Sequence, residues 1–112
     1  MEYCCKYNST EKNISIRKLI YIGESGKVKD RISGHRKKDE CWNGKLQSGE
    51  VLCYSFAPIA SPDREMAEAA LIFKHKPECN DEYVDNFPFD QTTVNSKGRC
   101  NSISSSFTVN KT

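Results

Sequence analysis

The chain has 112 residues, a length that suits one domain rather than two. Hydrophobic residues make up 37% and charged residues 29%, leaner in apolar side chains than an average globular domain, so part of the chain is expected to be polar loop or tail. The net charge of +2 says little about partners by itself, and no apolar run in the sequence approaches the length of a membrane-spanning helix.

In chain order, residues 2–7 (EYCCKY) are aromatic and sulfur-rich and read as a strand. Residues 8–15 (NSTEKNIS) are turn formers, and 16–22 (IRKLIYI) are β-branched and aromatic, a second strand of the same hairpin. Gly23 ends it. Residues 27–38 (KVKDRISGHRKK) carry Val28, Ile32 and His35 at helical spacing and are expected to form a short amphipathic helix. The next twelve residues, 39–50, look like a loop, and 51–57 (VLCYSFA) like a strand. A second helix is expected from Ser61 as N-cap and Pro62 as first helical residue, running through REMAEAALIFKHK and stopping before Pro77. Residues 87–94 and 103–109 are weaker strand candidates around a turn at Ser96-Lys97-Gly98. The order β-β-α-β-α is an α+β layer: two helices over one face of a three-stranded antiparallel or mixed sheet, with a possible C-terminal hairpin. Residues 1–94 form the expected domain, and 95–112 a polar extension, hairpin or partly disordered.

The first-helix segment holds Lys27, Lys29, Arg31, Arg36, Lys37 and Lys38 against Asp30, a local charge of +5 in a chain of +2, which leaves −3 for the rest. Such a stripe suits phosphate contact; it also suits a plain solvated helix face. The six cysteines (4, 5, 41, 53, 79 and 100) include no C-x-x-C pair, so a closed zinc site has no support. The N-terminal Met1-Glu2-Tyr3-Cys4-Cys5-Lys6 lacks the apolar core of a signal peptide. The expectation is a cytoplasmic protein with all six cysteines reduced and no membrane partner.

Glu68 stands within AEAALIF, the most apolar part of the second helix, with Arg64 and Glu65 one turn before it and Leu71 and Ile72 one turn after. A carboxylate among such neighbours needs a partner, either a metal or an Arg, unless it faces solvent on a polar stripe. Tyr21-Ile22-Gly23 ends a strand, Arg31 follows Tyr21 by ten residues, and His35 lies one helical turn beyond Arg31. Asn80 closes the run E-x-x-L-I-x-K-x-K-P-x-x-N that begins at Glu68. Together these motifs resemble the GIY-YIG nuclease superfamily over residues 1–80. The Glu68–Asn80 block is similar to its excision-repair branch, and the Arg31–His35 spacing to its homing branch. The first motif departs from the pattern, since no Gly-Ile-Tyr or Gly-Val-Tyr precedes Tyr21. Hairpin arithmetic gives a substitute. Antiparallel partners sum to about twice the turn centre, and a turn over 8–15 places Tyr21 opposite about residue 2, next to Tyr3. Met1-Glu2-Tyr3 then stands where the first motif belongs, with Met in place of Gly.

The resemblance implies a metal-dependent endonuclease that hydrolyses DNA phosphodiester bonds and leaves 5′-phosphate ends. It implies Glu68 as ligand to Mg²⁺ or Mn²⁺, and Arg31 as a planar, always-charged fork on the phosphate oxygens. Tyr3 becomes the base or water-positioning group, Tyr21 and His35 hold the scissile phosphate, and Asn80 fixes the helix end or site wall. Lys27, Lys29, Arg36, Lys37 and Lys38 would line the DNA. The alternative is a catalytically decayed nucleic-acid-binding module of the same fold. A single domain with one metal site nicks one strand, so double-strand cutting would need a homodimer or a separate DNA-recognition partner. Trp42 either stacks on a base or plugs the sheet edge, and His75 reads as a surface residue.

Overall fold

A computed structural model describes residues 1–23, 36–55, 58–97 and 103–112. The elements are β1 (Glu2–Asn8), β2 (Asn13–Tyr21), α1 (Arg36–Gly44), β3 (Val51–Tyr54), a 3-10 turn (Ser61–Asp63), α2 (Arg64–His75), β4 (Thr92–Asn95) and β5 (Ser106–Val109). The architecture is α+β, with a three-stranded antiparallel sheet in the order β2-β1-β3 and two helices, beside a separate β4-β5 pair. Among the described residues no helix is long and apolar enough to cross a membrane.

The β1-β2 turn is tighter than its composition suggests. The Asn8 side-chain oxygen accepts hydrogen bonds from the backbone N–H groups of Thr10 and Glu11, both at 3.0 Å, and Lys12 adopts a left-handed φ of 54°. Strand pairing therefore resumes at Asn13, opposite Asn8, instead of at residue 16. Two irregularities, at Glu2/Tyr3 and Cys4/Cys5, then move the register until Tyr21 faces Glu2 and Leu19 faces Tyr3. Each inserts one extra residue into β2, as a bulge does. The pairing of Tyr21 with residue 2 thus arises from a tighter turn offset by two bulges.

The helices contribute to two different clusters. Cys4 and its β3 partner Leu52 pack with Cys41 and Trp42 of α1, together with Ile20, Tyr21 and Cys79. Leu19, the β2 partner of Tyr3, packs instead with the core built on Ala69, Ala70, Leu71 and Ile72 of α2, which also takes Ile22. Adjacent strand residues point to opposite faces, so the sheet contributes apolar side chains on both faces, some to the cluster with α1 and others to the cluster with α2. The run Tyr3-Cys4-Cys5 shows why: it does not alternate, and all three residues are buried.

Helix α1 covers 36–44, so residues 39–44 are helical where a loop is expected; residues 24–35, which hold most of the expected first helix, lie outside the described residues. The sequence RKKDECWNG has no apolar stripe, and α1 contributes Cys41 and Trp42 to the core. A second correction accompanies it. Cys41 and Cys79 form a disulfide with Cα atoms 5.9 Å apart, while Cys4, Cys5 and Cys53 are free thiols. Cysteine spacing in sequence carries no information on this proximity, which the fold creates by bringing the end of α1 to the turn after α2. Closing a loop of this separation, 38 residues, constrains the unfolded chain by about 4 kcal/mol in the entropic picture.

The second helix begins later than expected. Ser61–Asp63 form a 3-10 turn, and Asp63 occupies the cap position without a side-chain cap bond. It ends as expected before Pro77, with Lys76 left-handed at φ 49° and its N–H bonded to the Ile72 carbonyl at 2.7 Å. Four consecutive buried residues, Ala69 to Ile72, show that α2 is covered on more than one side. The sheet lies on one flank, and Phe107 and Val109 of β5 join the same core from another. Phe87 is fully buried there, in contact with Phe73 and Phe89 at centroid distances of 6.2 and 5.6 Å. Its backbone is held by Thr112, whose hydroxyl accepts from the Phe87 N–H at 2.9 Å and whose N–H donates to the Phe87 carbonyl at 3.0 Å. Phe87→Ala is expected to lower the unfolding free energy by about 3–5 kcal/mol, read as a fall in the urea midpoint at unchanged slope. A change near zero would place Phe87 outside the cooperative core.

Candidate active site

The site is built around the end of β2. There the Tyr21 ring packs on Trp42 at 5.3 Å between centroids and is buried. The ring also folds back over Gly23: a Cβ at that position would lie 2.8 Å from Tyr21 Cε1 and 3.2 Å from its hydroxyl. The third position of Tyr-Ile-Gly must therefore lack a side chain while Tyr21 keeps this rotamer. Trp42 is 1% exposed. It is a core residue under Tyr21, and no nucleic-acid base can stack on it in this fold.

Tyr3, one register step from the Glu2–Tyr21 pair, is 8% exposed. Its hydroxyl shares a 2.7 Å hydrogen bond with Ser55 Oγ and donates to Met1 Sδ at 3.3 Å. The Met1 ammonium donates to the Ser55 carbonyl at 2.9 Å, which brings a cation to the same residue that orients the phenol.

Glu68 lies in the N-terminal half of α2, half-buried, immediately before the buried run Ala69–Ile72. It stands in an acidic neighbourhood. The Tyr83 hydroxyl donates to Glu65 Oε1 at 3.0 Å. Burial foremost, then that bond and the charges of Glu65, Glu82 and Glu68, push the Tyr83 phenol up to about 12. Among the described residues no three His, Cys, Asp or Glu side chains form a metal-holding group. What Glu68 offers is one hard carboxylate oxygen donor. That fits Mg²⁺ or Mn²⁺, which keep most of their waters and take one or two carboxylates plus phosphate, and does not fit a closed zinc cage.

Asn80 joins the two halves of this arrangement. Its side-chain oxygen accepts from the Ile22 N–H at 2.9 Å, and its amide donates to the Ile22 carbonyl at 2.8 Å. One residue back, the Cys79 N–H donates to the Ile20 carbonyl at 2.9 Å. Glu78 pairs with Lys18 and, at 2.9 Å, with Lys45. Hydrogen bonds from those two lysines hold its carboxyl down at about 2. Residues 78–80 thus clasp the outer edge of β2, which among the described residues has no neighbouring strand on that side. The resemblance gives Asn80 a role at the end of the Glu68 helix or the site wall; its side chain grips the middle residue of Tyr-Ile-Gly, 58 residues away.

Of the expected DNA-facing residues, Arg36, Lys37 and Lys38 open α1; Lys27, Lys29, Arg31 and His35 lie outside the described residues. A groove of about 440 Å³ on the far side of β2 is lined by Arg17, Lys18, Lys76 and Glu78 among others, but its cations are engaged within the protein. Arg17 forms a two-point pair with Glu50 at 2.8 and 2.9 Å, Lys18 pairs with Glu78, and Lys76 bonds the Val84 carbonyl and lies 4.3 Å over the Phe73 ring. His75 is half-buried and also lines this groove. It packs edge-on against Phe107 at 5.6 Å and accepts from the Ser104 N–H at 3.4 Å, and burial, with Lys74 beside it, lowers its pKa.

Glu78, Cys79 and Tyr83 carry structure at the site that sequence reasoning did not assign. The first two lie inside the K-x-K-P-x-x-N run, so the signal was present but unreadable without the fold. No protein family, curated protein or solved structure matches the chain. Asn80→Ala would leave the N–H and carbonyl of Ile22, itself 2% exposed, without these bonds. A loss of about 2–3 kcal/mol of stability is expected, with faster amide exchange at Ile22. Unchanged exchange there would show that the Asn80 contact does not hold the end of β2.

Proposed function

We propose that the chain is a GIY-YIG-type endonuclease domain that hydrolyses DNA phosphodiester bonds with Mg²⁺ or Mn²⁺. The observation that carries the reading is the two-point grip of Asn80 on Ile22. It physically joins the two sequence blocks on which the resemblance rests, Tyr21-Ile22-Gly23 and Glu68…Asn80. The α+β order and the placement of Tyr3 beside the Glu2–Tyr21 pair support it further.

In this reading Arg31 binds the scissile phosphate through both arms of its guanidinium and stabilises charge that grows on the phosphate oxygens as water attacks in line. Glu68 would hold the divalent cation, which when bound would supply charge stabilisation for the leaving oxygen. Tyr3, its hydroxyl oriented by Ser55, positions the attacking water or accepts its proton. Tyr21 and His35 fix the phosphate, and Asn80 keeps the Tyr21 end of β2 in register. Lys27, Lys29, Arg36, Lys37 and Lys38 neutralise the DNA backbone. One such domain nicks one strand, and a homodimer or a DNA-recognition partner supplies double-strand cutting and sequence choice. We place its work in the cytoplasm.

A decayed nucleic-acid-binding module of the same fold is the second reading. The observation that favours it is the burial of Tyr3, 8% exposed, with its hydroxyl already bonded to Ser55. Nicking of supercoiled DNA separates the two. Glu68→Ala is expected to abolish Mg²⁺-dependent nicking with the fold intact, since Ala suits a helix interior. Undiminished nicking by that variant would remove Glu68 from the metal. Arg31→Lys keeps the charge and loses the bidentate fork. Its single-turnover cleavage is expected to fall at least about tenfold, about 1.4 kcal/mol of transition-state binding, at near-normal DNA affinity. Wild-type cleavage by this variant would exclude Arg31 as the phosphate-stabilising residue.

A further inference from the structure

Cys4, Cys5 and Cys53 are free thiols, and the strand register divides them between the two faces of the sheet. β1 and β3 pair with Tyr3 opposite Cys53, Cys4 opposite Leu52 and Cys5 opposite Val51. Residues two apart on a strand share a face. Cys5 and Cys53 are therefore diagonal neighbours on one face, a relation that places residues about 7–8 Å apart at the backbone and closer at Cβ. The Cys5 thiol donates a hydrogen bond to the Cys53 sulfur. Cys4 stands on the other face, where its sulfur donates to the Lys45 carbonyl at 3.5 Å. Cys5 is fully buried and Cys53 half-buried, so the pair has one sulfur sealed in the fold and one that solvent reaches. Burial foremost, then the Cys53 bond and the charges of Cys53, Cys4 and Glu50, push the Cys5 thiol up to about 12.

We propose that Cys5 and Cys53 together form a binding site for a soft, closed-shell monovalent cation of the copper(I) class. Thiolates are the protein ligands that select such ions. Two donors in a line satisfy a monovalent ion of this kind, whereas Zn²⁺ asks for four, and among the described residues no three His, Cys, Asp or Glu side chains group together. The diagonal placement favours a metal bridge over a disulfide. A disulfide joins its sulfurs at about 2.05 Å and does not span Cα atoms more than about 7 Å apart without backbone movement. A bridge through an ion inserts two metal–sulfur bonds and closes a wider gap between the same strands. On binding, the ion forms a bond to each sulfur and displaces one proton from each. Both protons pass to water and no electrons move. The site differs in kind from the one proposed at Glu68, with two soft sulfurs in place of one hard carboxylate oxygen, and it stands independently of the nuclease reading.

The test uses the full chain with its Cys41–Cys79 bond intact. Cys100 lies outside the described residues, so a Cys100→Ser background removes its sulfur from the competition. Copper(I) is offered without oxygen as its coloured bicinchoninate complex. The chain is expected to withdraw one ion per molecule and to keep it in a large excess of Mg²⁺. The bound ion should protect Cys53 from alkylation by iodoacetamide, read by peptide mass, and X-ray absorption at the copper edge should show two sulfur donors. Loss of an outer partner of a metal ligand already costs about 10–100-fold in affinity, so loss of a ligand by Cys53→Ser is expected to cost at least about 100-fold. Cys4→Ala is expected to leave uptake unchanged, since that sulfur is on the other face. No copper taken from the chelator, or copper lost to Mg²⁺, would overturn the site. So would uptake undiminished by Cys53→Ser, nitrogen or oxygen donors in place of sulfur, or continued alkylation of Cys53 in the copper-loaded chain. The absorption and alkylation readings keep both Cys5 and Cys53, so they decide the question even where Cys53→Ser or Cys4→Ala does not fold.

Discussion

One asparagine side chain, bonded to both the N–H and the carbonyl of Ile22, is the constraint on which the rest of this arrangement depends. β2 is an edge strand, and Ile22 lies just past its last paired residue, Tyr21. An edge that loses its partner exposes backbone groups that must be satisfied elsewhere. Asn80 satisfies them much as another strand would. Ile22 belongs to the α2 core and Tyr21 to the Trp42 core, so the grip sits where the two cores meet. Glu78 and Cys79 extend it to Lys18, Lys45 and Cys41. Three consecutive residues thereby hold both helices to one strand.

The elements that could be read in the sequence were those with strong local chemistry. The β-branched and aromatic content of β2, the apolar run of α2 and Pro77 after it all act within a few residues, and both elements appear, although β2 starts earlier and α2 later than expected. The hairpin register around Tyr21 was also legible, through compensation: the turn at Asn8–Asn13 is tighter than its composition implied, and two bulges restored the pairing. The helical stretch 39–44 of α1 was not legible because its stability is not local. RKKDECWNG has no helical stripe, and it meets the rest of the fold through a ring contact with Tyr21 and a covalent bond to Cys79, both supplied by residues distant in sequence. The division of the sheet's side chains between two clusters was hidden for a related reason. Burial of Tyr3, Cys4 and Cys5 in succession is the mark of a strand covered on both sides, and such a strand has no period to read.

For the candidate site, the spacing of Tyr21, Glu68 and Asn80 pointed to one constellation, and the Asn80 grip links the first and last of these. The direction of that grip could not be read, because a sequence run does not say which backbone an amide will meet. Trp42 shows the same limit. In a polar segment it was equally readable as a base-stacking platform or a plug, and only the packing against Tyr21 assigns it to the core. Glu68 is half-buried at the edge of the apolar part of α2, between the two environments its neighbours in sequence allowed.

The central claim is that this small fold cuts DNA with a divalent cation held by a single carboxylate. The most direct measurement is incubation of the purified, oxidised chain with supercoiled plasmid in Mg²⁺ or Mn²⁺, beside an identical reaction with excess chelator, followed by analysis of the cut ends. The account requires conversion of supercoiled to nicked circles in the presence of the cation alone, with 5′-phosphate ends. Plasmid that stays supercoiled with either cation, while the chain still binds it, would contradict the account and leave the fold as a nucleic-acid-binding module.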